Sequence, residues 1–375
     1  MLLTGILTLT LGSSSATASL PVHNIDTGED FASIQSAIND PDTLDGHTIF
    51  VDAGTYYGLG HVQVHKSVSL VGENPNTTIM DGRGIKVEVN DVTIANFTIR
   101  NVREEFFPYY YPSNGIQSNS NNTIITNNIV NNCSIGIQLH GKDIEINGNI
   151  TVSNNIVANN VEGIQLANMF DCRLRNNTLY DNWYNMEVYA TGPASQSIVL
   201  QFMHDIDPSN TFDGKPIYYW VNQHNRRVPT DAGWVVIVNS TNIIIEDITI
   251  INNSMGIILQ GTNSSMISGV NVSNCGMGIW IGYYCHNNTI GQSMIKNNSI
   301  GVNVDTRSTD NTIYGNNITN NDDRGIDLSR ASNNKFYHNN FIDNVKHANI
   351  DPIYPIYVNF WDDGYPSGGN YWQLY

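Results

Sequence analysis

Charge is scarce in this chain and unevenly signed. Of 375 residues only 14% are Asp, Glu, Lys or Arg, and 17 basic residues face 34 acidic ones, giving a formal charge of −17 and a pI near 4.7. Nucleic acid is excluded as a partner, because its phosphates call for a basic stripe. Cations or an uncharged glycan suit such a surface better.

No Lys or Arg occurs before Lys66. Residues Met1 to Gly12 are nevertheless apolar and Thr-rich, and the small residues after them end in Ala16-Thr17-Ala18. This is the pattern of a secretory hydrophobic region and cleavage site, so 1–18 reads as a signal peptide with its basic start missing. A misplaced start or a truncated gene accounts for the missing part, and export is still favoured. The stretch is too short to span a membrane, and no span is expected in the mature chain.

Cysteine is sparse too. Cys133, Cys172, Cys275 and Cys285 permit three disulfide pairings and have no metal-ligand spacing. Cys133 and Cys275 hold equivalent positions, three residues before a repeat glycine, in Cys133-Ser134-Ile135-Gly136 and Cys275-Gly276-Met277-Gly278. Several coils apart they cannot bond, since a disulfide needs its Cα atoms within about 7 Å. Buried thiols are expected for these two, while Cys275 with Cys285 stays open.

What the chain does have is a recurring phrase. Asn-Thr-Ile or a variant, an Asn-rich stretch, then Gly-Ile-x-Leu runs through Asn122 to Leu139, Asn149 to Leu166, Arg173 to Val188, Asn242 to Leu259, Ser265 to Ile281, Asn288 to Val304, Asn311 to Leu328 and onward from Asn334. Gly256, Gly278, Gly301 and Gly325 recur every 22 to 24 residues, a period of solenoids whose repeats bury their apolar face only on neighbours. Within Gly-Ile-x-Leu the flanking apolar residues share one strand face. Ile137/Leu139, Ile164/Leu166, Ile257/Leu259, Ile279/Ile281, Val302/Val304 and Ile326/Leu328 are therefore expected to fill the interior in rows.

Asparagine supplies 54 residues, far above ordinary usage. Disorder is rejected, because Ile, Val and Leu keep fixed offsets between the asparagines. Aligned coils place Asn127, Asn154, Asn177, Asn316 and Asn339 in one column, where amides can stack as a ladder. Asn also tolerates the left-handed backbone that corners require.

Other segments fit around the coils. Asp30 to Ile38 puts Phe31, Ile34 and Ile38 on one helical face, stopped by Asn39-Asp40-Pro41, and reads as a lid on the first coil. Runs at Thr48 to Val51, Val68 to Gly72, Thr78 to Gly82, Ile85 to Val89 and Val92 to Ile94 read as strands of less regular coils. Glu104 to Pro112 reads as an aromatic loop, and about 189–234 as a β-rich insertion with the turn Asp213-Gly214 before Lys215 to Trp220. Phe360, Trp361, Tyr365, Tyr371 and Trp372 suit an aromatic plug within a C-terminal cap at about 350–375.

The lid, the Gly54-Thr55-Tyr56 turn, the Asp213 to Trp220 phrase and the closing Asn359 to Trp372 phrase together resemble NosD-type right-handed parallel β-helix proteins. These belong to a wider group of carbohydrate-binding proteins and sugar hydrolases, abundant as secreted surface proteins of methanogenic archaea. The resemblance covers roughly Ile25 to the C-terminus. It implies an all-β, right-handed, single-stranded parallel β-helix over 23–375, exported and cell-surface located. The family name also implies help with copper delivery, which does not transfer by fold.

Candidate sites follow from register. The outward residues of successive strands form a column of Gln117, Gln138, Gln165, Glu187, Ile258, Trp280, Asn303 and Asp327, whose amides, aromatic ring and carboxylates suit an extended glycan. The alternative is a solvated amide ladder with no ligand. Tyr109 and Tyr110 in the aromatic loop are a further sugar-stacking candidate.

For catalysis the acidic cluster of Asp305, Asp323 and Asp327 with Arg324 is the candidate. Asp305 and Asp327 would sit about 8 Å apart on adjacent coils, within the spacing of inverting glycosidases. Asp305, Asp322 and Asp323 could instead hold calcium, and a surface salt-bridge cluster is the third reading. No Gly-His-Gly segment of polygalacturonase type and no Asp-Pro-His-Glu phrase of uronan epimerases occurs.

Copper would want His, Met or Cys converging on one point. His61 and His65 stand about 13 Å apart along one strand, while Met203-His204 and Cys285-His286 are neighbours with diverging side chains. The sequence thus predicts a surface β-helix that binds polysaccharide or builds cell envelope. A polysaccharide-active enzyme and a copper accessory protein are the alternatives, and no cofactor is certain.

Overall fold

The computed structural model describes residues 20–106, 109–141, 148–191, 197–350 and 357–373, without the side chains of 103–106, 109–112 and 197. The expected signal peptide lies outside the described residues.

Short parallel strands stack coil upon coil into a right-handed β-helix. In the N-terminal segment each coil has three faces, as in Ile124–Thr126, Ile129–Asn131 and Ile135–His140. The interior rows are in register: Ile85, Ile116, Ile137, Ile164 and Met186 follow one another on the third face. All five are fully buried. Each removes an aliphatic side chain from water, about 2 to 3 kcal/mol apiece on transfer scales. Ile257, Ile279, Val302 and Ile326 make the matching row in the C-terminal segment.

A helix Ile34–Asn39 opens the fold, N-capped by Ser33 in a reciprocal capping box with Ser36. It buries Ile34, Ala37 and Ile38 against the first coil and closes that end of the core. Phe31, expected on the helix, lies instead on the strand Glu29–Phe31, which pairs antiparallel with Val22–Asn24.

The expected insertion is a joint. Thr211–Phe212 extends the second face, then Asp213 and Gly214, with φ of 48° and 79°, turn the chain into Lys215–Val221. Two consecutive positive-φ residues make the tight antiparallel hairpin that Asp-Gly favours. The next coils build on the reversed strand, so the second face of the N-terminal segment and the third face of the C-terminal segment form one 14-stranded sheet.

Strand reversal also exchanges the two sides of the sheet. In Trp234–Val238 every residue is buried: Trp234, Val236 and Val238 join the first core, while Val235 and Ile237 join the second. Met255–Gln260 is likewise buried throughout. The shared sheet thereby closes the open end of the first segment, with Trp234 stacked on Phe212 at 5.4 Å.

Asparagine does two jobs, and the Asn-Asn pairs divide them. The first residue takes the left-handed corner, as at Asn127, Asn154, Asn159, Asn287, Asn297, Asn320 and Asn333, all with φ between 53° and 61°. The second turns inward. Asn128, Asn155, Asn177 and Asn210 form one buried ladder, each Oδ1 accepting the backbone N–H and the amide of the preceding member. The column expected from alignment is therefore corrected. Asn127 and Asn154 are corner residues, while Asn177 belongs to this ladder and Asn316 and Asn339 to another. The misalignment is one residue, because the corner residue and the ladder residue are adjacent.

The repeat glycines answer to a different demand. Gly256, Gly278, Gly301 and Gly325 are not at positive φ; a Cβ on the first three would meet the carbonyl of the glycine one coil on at 2.3, 2.6 and 2.5 Å. Backbones of adjacent coils approach too closely there for any side chain.

The segment around 104–112 is also corrected from loop to hairpin, since Arg103–Phe106 pairs antiparallel with Tyr109–Pro112. At the far end Trp361 and Trp372 stack on Phe336 and Phe341 at 4.6 and 4.3 Å, Trp361 partly buried and Trp372 still 37% exposed. Phe360, Tyr365 and Tyr371 face outward.

Candidate functional site

The outward column divides into two. Gln117, Gln138, Gln165 and Glu187 follow in register on the third face of the N-terminal segment. Ile258, Trp280, Asn303 and Asp327 follow on the third face of the C-terminal segment. The joint separates them, because reversal at Asp213-Gly214 places these two faces in different sheets.

The first column is a directed hydrogen-bond chain. Asn114 donates to Gln138 at 2.7 Å, and Gln138 to Gln165 at 2.8 Å. Gln165 then donates through one nitrogen to both Glu162 (2.8 Å) and Glu187 (2.9 Å). Glu187 accepts a further bond from Ser254 of the C-terminal segment. Burial and the Glu187 charge push the Glu162 carboxyl up to about 7, against the pull of Gln165. Gln117 and Gln138 are half-buried, whereas Gln165 is 6% exposed.

The second column is largely covered. Ile258 is fully buried and Trp280 is 5% exposed, its ring edge against Phe202 at 5.7 Å. These two side chains point toward the first core because the shared sheet has a core on each side. Trp280 therefore does not offer its face to a sugar in this arrangement. The Oδ1 of Asn303 is buried without a hydrogen-bond partner among the described residues.

Beside them stands Asp305, whose Oδ1 accepts the N–H (2.6 Å) and hydroxyl (3.0 Å) of Thr306. Burial raises its carboxyl above the usual range; Thr306 and Trp280 oppose that, and the Asp327 charge adds to it. Asp327 is 6% exposed and accepts from Arg324 Nη1 and Asn349 Nδ2, both at 2.7 Å. Arg324 also reaches Asp323 at 3.3 Å. The structure thus joins Asp323, Arg324 and Asp327 in one ion-paired group, with Asp305 two strand positions out of line on the adjacent coil.

The calcium set of Asp305, Asp322 and Asp323 does not converge. Among the described residues the one group of three His, Cys, Asp or Glu ligand atoms within 4.8 Å is Glu29, Asp40 and Asp42. Tyr109 and Tyr110 lie on the hairpin strand Tyr109–Pro112, and their side chains are outside the description.

All four cysteines are free and buried, which settles Cys275 and Cys285 as thiols. Burial pushes Cys133, Cys275 and Cys285 up to about 12 and Cys172 higher still. His204 is 3% exposed, with Nδ1 accepting the Cys172 N–H at 3.3 Å. No convergent set among the described residues includes a His or Cys, and the all-oxygen group at Glu29 is a poor match for copper. The described residues do not fit a copper centre.

Sequence alignment of coils did not reveal two further features. A cavity of about 780 Å3 lies between Asn287, Thr312, Lys335 and Tyr337 and the closing segment at Phe360 to Gly364. A second, of about 380 Å3, lies at the joint beside His204, Tyr219, Trp220 and Arg226. Both are built by segments that break the repeat, so the period gives no signal of them.

Stacked parallel coils with inward aliphatic rows and asparagine ladders define a right-handed β-helix protein. Residues 60–199 match the family model of a right handed beta helix region, and residues 213–375 match the model of the periplasmic copper-binding protein NosD. The chain is a NosD-like right-handed β-helix protein.

A cell surface glycoprotein of Methanothermus fervidus is 29% identical over 134 residues, which is 35% of this chain and 21% of that protein. The chain thus spans only about a fifth of that relative's length. Among solved structures, the catalytic domain of a GH87 alpha-1,3-glucanase in complex with tetrasaccharides matches with a TM-score of 0.43 and 14% identity, over 93% of this chain and 67% of that one. The A-module of a mannuronan C-5 epimerase from Azotobacter vinelandii matches at 0.42 and 16%, over 92% and 93%. Neither likeness carries an argument about chemistry.

Proposed function

We propose that this protein works at the cell surface and binds polysaccharide through the rigid face of its coils. One observation carries the reading: the half-buried amides of Gln117 and Gln138 stand in register on adjacent strands, with Gln138 held in a bonded chain that runs from Asn114 to Glu187. Carbohydrate hydroxyls pair with such fixed donors and acceptors without the cost of ordering them. The likeness to an archaeal cell surface glycoprotein supports the location. Glycan-array binding tests it: polysaccharide should be retained and Gln138→Ala should weaken retention several-fold. Absence of binding to any glycan would remove the reading.

A second reading, hydrolysis or elimination of a polysaccharide, is favoured by one observation. Asp305 has a raised carboxyl one coil from the ion-paired Asp327, and carboxyl groups in unlike environments can serve as acid and base. Shortened or unsaturated products that vanish in Asp327→Ala would establish it over binding alone.

A further inference from the structure

We propose that the cavity beneath the closing segment is a second glycan site, one that selects an uncharged saccharide. The proposal rests on the polysaccharide-binding reading but places recognition on a different face of the coils. The cavity's volume of about 780 Å3 falls within the range of ligand pockets, about 300 to 1,000 Å3.

Its wall is an aromatic stack that stops short. Tyr314 lies over Gly291, where a Cβ would come within 2.6 Å of the ring. Tyr337 stacks on Tyr314 at 5.7 Å and 24°. The next coil pairs Phe360 with Lys335, which sets Asp362 opposite Tyr337. The column thus passes from two rings to a short carboxylate, and the cavity begins there. Phe360, on the rim, is 46% exposed although its neighbour Trp361 is turned inward on Phe336. Two aromatic groups at the edge of one pocket suit the C–H faces of a sugar ring.

Polar groups in the pocket are uncommitted. The Asn287 amide, the Thr312 hydroxyl and the Lys335 ammonium line it and make no hydrogen bond within the described residues. They supply donors and acceptors for hydroxyl groups.

The carboxylates decide which sugar. Asp310, Asp362 and Asp363 all line the cavity, against Lys335 as the one Lys or Arg in its wall. Each already has a local donor: Asn333 and Thr309 for Asp310, the Gly364 N–H for Asp362, Ser367 for Asp363. They do not converge as a cation site among the described residues. What they do is repel uronates, sulfates and phosphates, leaving neutral hexose or N-acetylhexosamine chains as the class that fits.

The test is affinity of the full chain for neutral oligosaccharides, with oligogalacturonate as the charged comparison, by surface plasmon resonance. Tyr337→Ala and Phe360→Ala should each lose about three- to tenfold affinity for the neutral ligand, in the wild-type and in the Gln138→Ala background. Melting temperatures near wild type would show that the coils remain folded. Wild-type affinity in both groove variants overturns the proposal, and so does tighter binding of the uronate. If Gln138→Ala alone abolishes binding, the groove falls and the polysaccharide reading stands; if no variant and no wild type binds any glycan, both fall.

Discussion

Ser254 donates its hydroxyl to Glu187 at 3.0 Å, across 67 positions of sequence. The bond ties the C-terminal segment to the last third-face strand of the N-terminal one, and it bears on Glu162, which shares the Gln165 amide with Glu187.

That arrangement predicts a pH dependence. Burial and the neighbouring charge raise Glu162 to about 7 from an ordinary 4.5, so the folded state holds this proton more tightly than the unfolded chain does. The contribution is complete below the unfolded value and is lost as pH climbs through about 7. Solvent screening of a partly exposed carboxyl limits it to about 1 kcal/mol. Urea midpoints at pH 5 and pH 8.5 should therefore fall with rising pH more in the wild type than in Glu162→Gln. Equal slopes for the two proteins would contradict the assignment.

The thiols predict silence. With all four cysteines free, buried and raised, little thiolate exists at neutral pH for a reagent to attack. Thiol titration of the native protein should give no fast-reacting group, and four after denaturation in guanidinium. Addition of dithiothreitol should leave the melting temperature unchanged. A fast native thiol, or a loss of stability on reduction, would mean that a disulfide or an exposed cysteine exists after all.

How much of this was legible in the sequence depends on what repeats. Rows such as Ile137, Ile164 and Ile326 could be read from spacing, because strand alternation fixes which residues turn inward. The lid at Ile34 and Ile38 was legible from helical spacing, though Phe31 was drawn into a strand by pairing with Val22. The joint was only half visible. Asp213-Gly214 announces a hairpin, but nothing local says that the sheet will then carry a second core on its other side. Trp280 was misjudged for that reason: in an ordinary coil its position faces solvent, and here it faces Phe202. The Asp323, Arg324 and Asp327 group was legible because its members lie on one short stretch. The groove at Tyr337 was not, since the closing segment follows no period.

Close approach at the repeat glycines gives a further prediction. A Cβ at Gly301 would stand 2.5 Å from the Gly325 carbonyl oxygen, a backbone atom held by the next coil's ladder. Relief requires adjacent coils to separate locally, at a cost of about 1 to 3 kcal/mol. Gly301→Ala should lower the urea midpoint, whereas Gly364→Ala, where a Cβ meets nothing within 4 Å, pays only for strain at φ 88°. Chemical denaturation followed by circular dichroism would compare them, and equal midpoints for Gly301→Ala and wild type would refute the packing argument.

The division of labour within an Asn-Asn pair can be tested at Asn154-Asn155. Asn155 accepts from Asn128 and donates to the Ile125 carbonyl at 2.9 Å and to Asn177 at 3.0 Å, all in the interior. Alanine there leaves a buried N–H and a buried carbonyl unpaired, at about 1 to 3 kcal/mol each. Asn154 sits at φ 57° and its side chain accepts from Asn176 at the exposed edge. Glycine adopts that backbone without strain, so Asn154→Gly should cost a fraction of what Asn155→Ala does, while Asn154→Val should cost about 1 to 2 kcal/mol through the left-handed clash alone. Urea denaturation of the three variants should therefore rank Asn154→Gly as mildest and Asn155→Ala as most damaging. The reverse order would place the ladder at Asn154, and with it the inward register of the whole corner.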